Sequence, residues 1–229
     1  MNKLTSLLIA GATAVAVGVS SASAQEPLGV DVSFGYSTDY IFRGVDFGSD
    51  LIDIDVSYGG ALTEDINYGV GVWFATADSA EELNLYGSLD WELLGLGWET
   101  GAVFYRYPNT TGTDDDYEVY FSGSTAIAGV DVSATIINNQ VGGEVEENLA
   151  ELSAGYTYDC SWTNRAFDLG VTYGFSITDE PSSIDEYTEV SASTDFAVGT
   201  ATLTPYIAYV NGTQGVDDVI GGAYLGFTF

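Results

Sequence analysis

Thirty-four Asp and Glu stand against four Lys and Arg, and histidine is absent, so the chemistry open to this 229-residue chain is that of carboxylates. Carboxylates can act as paired general acid and base, as ligands for hard cations, or as an array that filters charge along a passage. Asp90 and Glu92 could be drawn as an acid/base pair, but among thirty-four acids such pairs arise by chance. Lack of histidine removes Ser-His-Asp nucleophilic sites and imidazole metal ligands. The run Asp114-Asp115-Asp116 has no ordered ligand spacing and reads as a solvated loop. The expectation is therefore no catalytic residue, no metal site, no cofactor and no enzyme. A formal charge of −30 also argues against nucleic acid as a partner, because phosphates need cationic contacts.

The array remains, and its geometry depends on the elements that carry it. Val30, Val32, Phe34, Tyr36, Tyr40 and Phe42 fall on one face of a period-2 pattern, with Asp31, Ser33, Gly35, Ser37, Asp39 and Arg43 on the other. Ile52, Ile54, Val56 and Tyr58 then alternate with Asp53, Asp55, Ser57 and Gly59. The same alternation continues at 66–74, 83–92, 96–107, 117–122, 130–139, 149–158, 166–178, 187–198, 201–210 and 219–229, twelve segments in all. The fifth is irregular: with Glu99 on the polar face, Tyr105 joins it and Arg106 turns away, through a bulge or because Arg106 lies above the membrane. Ahead of these segments, Lys3, the apolar run 7–19 and Ala22-Ser23-Ala24 read as a cleaved signal peptide over 1–24, leaving 25–229 as one domain. No later run of 18 apolar residues offers a membrane helix.

Alternation fits a soluble sandwich or a membrane barrel. Four features favour the barrel. Strands of about 10 residues can cross a bilayer when tilted. The polar face is rich in Gly and Ser, as a lumen would be. Tyr40, Phe42, Trp91 and Trp98 fall near strand ends, where interfacial girdles sit. The chain ends Leu225-x-Phe227-x-Phe229, an assembly signal of the kind carried by outer-membrane barrels. Connections at 93–95, 128–129 and 199–200 are short, whereas those at 77–82, 108–116, 138–148, 179–186 and 211–218 are longer and acidic. Short periplasmic turns and long outer loops are the barrel pattern. The turn 159–164 is longer than its neighbours, and Cys160 within it reads as a small turn residue. The fold class expected is all-β: an antiparallel transmembrane β-barrel of 12 strands in a bacterial outer membrane.

Barrel parity turns Asp31, Asp39, Asp53, Asp55, Asp90, Glu92, Glu99, Glu118, Asp131, Glu151, Asp168, Glu189 and Asp195 inward, with Arg43 among them. Ionised carboxylates in a wet passage favour cations over anions, so the expected function is passive diffusion of cations or neutral small solutes. Eight-stranded barrels are filled and 16–18-stranded ones leave a channel, so twelve lies between. Trp73, Tyr86, Tyr105 and Tyr120 share the inward parity and could narrow or plug the bore; a non-conducting surface barrel is the alternative. Partners expected are outer-membrane lipid, the barrel assembly machinery and small solutes, with the oligomeric state open.

The stretch Gly35-Tyr36-Ser37-Thr38-Asp39-Tyr40-Ile41-Phe42-Arg43-Gly44-Val45 resembles the N-terminal segment of the TorF-like porins, also called the Gcw_chp family. The resemblance implies an outer-membrane porin-like barrel and names no solute. The terminal Phe229 also fits the family, whereas the acidic excess departs from it. Within the segment, Asp39 and Arg43 lie about 13 Å apart along a strand and are not a direct pair. Arg43 is expected to meet acids on a neighbouring strand, such as Asp53 or Asp55, with Gly44 starting the first outer loop. Its role is either to neutralise crowded carboxylates or to select solutes.

Overall fold

The computed structural model describes residues 29–229 apart from 110–114, 142–143, 179–185 and 213–214. The leader segment 1–24 lies outside the described residues, as do Asp114 and much of the connection 179–186. The described strands are β1 (Val30–Phe42), β2 (Val45–Ala61), β3 (Ile66–Thr76), β4 (Glu81–Leu93), β5 (Leu96–Arg106), β6 (Asp116–Ile127), β7 (Val130–Val141), β8 (Glu144–Cys160), β9 (Arg165–Ser176), β10 (Glu186–Ser193), β11 (Phe196–Val198), β12 (Ala201–Gly212) and β13 (Asp217–Thr228). Each pairs antiparallel with its neighbours, and β1 pairs with β13, which closes the sheet. Both β10 and β11 pair with β12 and share one place in the ring, interrupted at Thr194 and Asp195. The result is a closed antiparallel barrel of twelve strand positions.

The period-2 sequence pattern explains the closure. Phe34, Ile52, Val70, Leu85, Val119, Ile136, Leu152, Val171, Val190, Ile207 and Val219 are all exposed, one or more from each of the strands they occupy. A soluble fold would bury such a belt, but a barrel presents it to lipid. The seam is the first and last strand. Phe34 stands opposite Leu225 and Val32 opposite Phe227, while the Phe229 N–H donates to the Val30 carbonyl at 2.9 Å. Phe227 and Phe229 stack with ring centroids 6.4 Å apart. Phe229 thus tethers the last residue of the chain across the closure.

The interior differs from a purely polar lumen. Val103, Tyr105, Tyr120, Ile137 and Leu149 form a buried cluster on β5 to β8, on the same parity as the inward carboxylates. In β5 the register against β4 and β6 is unbroken, so Tyr105 points inward and the exposed Arg106 outward with no bulge. On this face glycine makes room for tyrosine. Gly71 faces Tyr86, Gly101 faces Tyr120 and Gly174 faces Tyr187 across neighbouring strands, and a Cβ on any of the three glycines would collide with that ring.

The lipid-facing assignment is directly testable. Leu85→Arg, at an exposed outward position of β4, is expected to cost about 2–4 kcal/mol. Denaturant unfolding in lipid vesicles reads this, with Ser88→Arg on the inner face of β4 expected to cost distinctly less.

Candidate functional site: a hairpin tip clamped across the bore

The site is built by the tip of the β1–β2 hairpin. Pairing of β1 with β13 stops at Ser37, opposite Gly222, whereas β1 and β2 stay paired to Phe42 and Val45. A register shift follows Tyr40, and the Ser37 hydroxyl donates to the Asp39 carbonyl at 2.9 Å, which bends the strand. Released from one neighbour and bent, the hairpin leans into the bore. Arg43 and Gly44 form its two-residue turn, with φ of 51° and 73°. Two successive positive φ values belong to the tight turns that match strand twist, and glycine takes the second without strain. The turn is also crowded: a Cβ on Gly44 would lie 2.8 Å from Gly212 Cα and 2.8 Å from Tyr187 Cβ.

Arg43 crosses to the far wall. In a ring of twelve positions β7 stands opposite β1, and the partners of Arg43 lie on β6 and β8, either side of β7. Its Nη1 donates to Glu118 Oε1 at 2.5 Å and its Nη2 to Glu118 Oε2 at 3.2 Å. Its Nε donates to Glu151 Oε1 at 2.9 Å. The Tyr105 hydroxyl donates to Glu118 at 2.9 Å and the Tyr187 hydroxyl to Glu151 at 2.5 Å. Asn139 Nδ2 adds a longer contact to Glu118 at 3.4 Å. The guanidinium lies 4.4 Å from the centroid of the Phe42 ring, within cation–π range. Arg43, Glu118, Glu151, Tyr105 and Tyr187 are all buried. The clamp therefore links the tip to β6 and β8, while Gly44 rests against Tyr187 of β10 and Gly212 of β12.

The structure differs from three expectations at this hairpin. Tyr40 and Phe42 do not belong to an outer girdle. Tyr40, the last residue before the register shift, is buried: its hydroxyl donates to Glu82 at 2.6 Å and it packs with Leu51, Trp73 and Ala75. Phe42 packs against the same cluster and lies 6.5 Å from the Tyr105 ring. Arg43 does not meet Asp53 or Asp55, and Gly44 does not open an outer loop. Asp53 accepts from Trp73 Nε1 at 3.3 Å and Asp55 from the Tyr86 hydroxyl at 2.7 Å. Strand adjacency suggested the nearer acids, but the bent hairpin carries the guanidinium past them.

Of the inward acids read from the sequence, Arg43 gathers Glu118 and Glu151 alone. The others stand apart along the wall. Glu99 accepts from Tyr120 at 2.6 Å and stands opposite Asp90, which accepts from Asn67 at 2.8 Å. Asp168 accepts from Thr157 at 2.7 Å, and Asp31 accepts from Thr228 at 2.6 Å near the seam. Asp195, in the break between β10 and β11, accepts from Thr204 at 2.7 Å. Asp39 stands opposite Ser49, and Glu189 opposite Val210. Glu92 and Asp131 are exposed towards the short-turn end. Two further buried acids, Glu82 and Glu147, fall within the connections 77–82 and 138–148 expected from the sequence. The strands begin earlier, at Glu81 and Glu144, and both acids continue the inward alternation of Asn84 and of Leu149.

The clamp also sets the energetics of the tip. Taking one guanidinium and two carboxylates out of water is costly, and removing one partner leaves the others uncompensated. Arg43→Ala is therefore expected to destabilise the barrel by about 3–5 kcal/mol. Urea unfolding of the refolded protein measures it. Adding Glu118→Gln and Glu151→Gln to the same chain should restore most of the loss, because neutral amides no longer need a cation.

No protein-family model matches the chain, and no curated protein does. Solved structures do resemble it. The KdgM porin superposes with a TM-score of 0.57 at 10% identity, over 87% of this chain and 99% of that one. An outer-membrane channel from Pseudomonas putida F1 gives 0.55 at 14% identity, over 90% and 97%. The translocator domain of the autotransporter NalP from Neisseria meningitidis gives 0.51 at 9%, over 90% of each. At such identities the likeness is one of fold. It agrees with the closed ring and the lipid-facing belt: this chain is a twelve-strand β-barrel of the bacterial outer membrane.

Proposed function

We propose that the chain is a narrow outer-membrane channel for cations and uncharged small solutes. The observation that supports this most is the charge imbalance of the interior. Glu82, Glu118, Glu151 and Asp53 are buried on the inner face, and Asp55, Glu99, Asp168 and Glu189 share it. Of the three arginines among the described residues, Arg43 is buried inside, whereas Arg106 and Arg165 are exposed. A passage lined this way attracts cations and repels anions. The KdgM porin has been solved with oligogalacturonate, a polymer of sugar acids. An acidic lumen disfavours that class of solute, so the shared fold does not carry a shared substrate. The leader 1–24 as export signal, the ending Leu225, Phe227 and Phe229 as the mark read by the barrel assembly machinery, and the kinship of 35–45 with the TorF-like porins belong to the same proposal.

A second reading has its own observation. The hairpin tip reaches from β1 to the wall beside β7, and the clusters around Tyr40 and Tyr105 pack next to it. This favours a closed barrel whose work is done at the surface. Planar-bilayer recordings across a salt gradient separate the two. The channel reading expects small single-channel steps with a reversal potential of cation-selective sign. An anion-selective sign contradicts it, and silence from correctly folded barrels favours the closed one.

A further inference from the structure

We propose that the wall between β6 and β8 is a binding site for guanidinium groups, which in this structure is filled by the chain's own Arg43. The lining that belongs to the wall is complete without the hairpin. Glu118 offers both carboxylate oxygens side by side to two N–H groups, at 2.5 and 3.2 Å. Glu151 meets the Nε edge of the same plane at 2.9 Å. Tyr105 and Tyr187 hold the two carboxylates in place through their hydroxyls. Planar two-edge recognition suits a guanidinium, with its fixed fork of donors, and not a compact ammonium, which acts as a point charge.

Charge and burial point the same way. The wall contributes two carboxylates and Arg43 one positive charge, so the filled site keeps an excess negative charge. Glu151 is 2% exposed, and its Oε2 has no hydrogen-bond partner among the described residues. A buried carboxylate oxygen without a donor is a strong acceptor waiting for one. The ligand class is a small alkylguanidinium: a cation with one planar fork and an uncharged stem, as Arg43 itself presents. The site lies in the same bore as the proposed channel, so such solutes would bind on the path that cations take. Binding can be read without conduction, which keeps the two proposals separately testable.

The test uses the full-length barrel refolded in detergent, with Arg43→Ala emptying the site and methylguanidinium as the probe. A free ligand replaces a tethered one when its concentration approaches the tether's effective concentration, roughly millimolar for a short link. At concentrations well above that, methylguanidinium is expected to raise the thermal transition of Arg43→Ala by at least about 3 °C, read by heat-modifiable gel mobility. Tetramethylammonium and Na⁺ at equal ionic strength should not. Wild type, whose site is filled, and the R43A/E118Q/E151Q chain, whose carboxylates are gone, should show no such difference between probes. Should Arg43→Ala not refold alone, the readout is refolding yield, which methylguanidinium in the refolding buffer should restore and tetramethylammonium should not. Equal responses to the two probes, no response to either, or the same response in R43A/E118Q/E151Q would overturn the site. Silence of the wild-type barrel in a bilayer would overturn the channel and leave this result standing.

Discussion

A carboxylate withdrawn from water must find donors, and this barrel draws many inward with, among the described residues, a single buried base to meet them. The fold meets that requirement with phenols. Tyr40 donates to Glu82, Tyr86 to Asp55, Tyr105 to Glu118, Tyr120 to Glu99 and Tyr187 to Glu151. Each hydroxyl supplies a hydrogen bond without adding a charge. The inward tyrosines in turn need space, and glycine supplies it on the facing strand at positions 71, 101 and 174. The unusual composition, rich in acid, tyrosine and glycine, is one solution to one problem.

The one base inside then acquires a structural task. Arg43 satisfies parts of two carboxylates that phenols alone leave short, and it does so from the tip of a hairpin that has left its seam partner. The clamp and the closure are therefore linked. Strand β1 forms the seam with β13 up to Ser37, and the remainder of the same strand bridges the bore. Apolar packing around Tyr40 and around Tyr105 fills in beside the bridge. The tip and the acidic wall it is clamped to therefore stand together in the bore, where the proposed channel would pass.

Much of the fold was legible in the sequence because a period of two encodes two faces at once. Twelve alternating segments and the seam at Phe229 follow from that pattern, whereas the long connection expected over 138–148 does not, because β7 runs to Val141 and β8 starts at Glu144. Inward placement of Asp53, Asp55, Glu99, Glu118 and Glu151 followed too. What parity cannot encode is a break in parity. The break in alternation around Tyr40 and the turn at Arg43-Gly44 depend on local dihedrals; Tyr40 and Phe42 stand where alternation did not assign them, and Arg43, inward as its parity has it, meets partners that alternation did not name. Partners across the bore were equally hidden, since Arg43 and Glu151 lie 108 residues apart with no pattern linking them. Glu82 was within reach, because extending the alternation of Asn84 and Tyr86 by one step includes it.

The guanidinium proton of Arg43 reports directly on its clamp between Glu118 and Glu151. In the folded barrel in detergent micelles, the Arg43 Nε–H should give a resolved NMR resonance that exchanges slowly with water and shows close contacts to the rings of Phe42 and Tyr187. Exchange as fast as that of the exposed Arg106, with no such contacts, would place the hairpin tip in solvent and contradict the account.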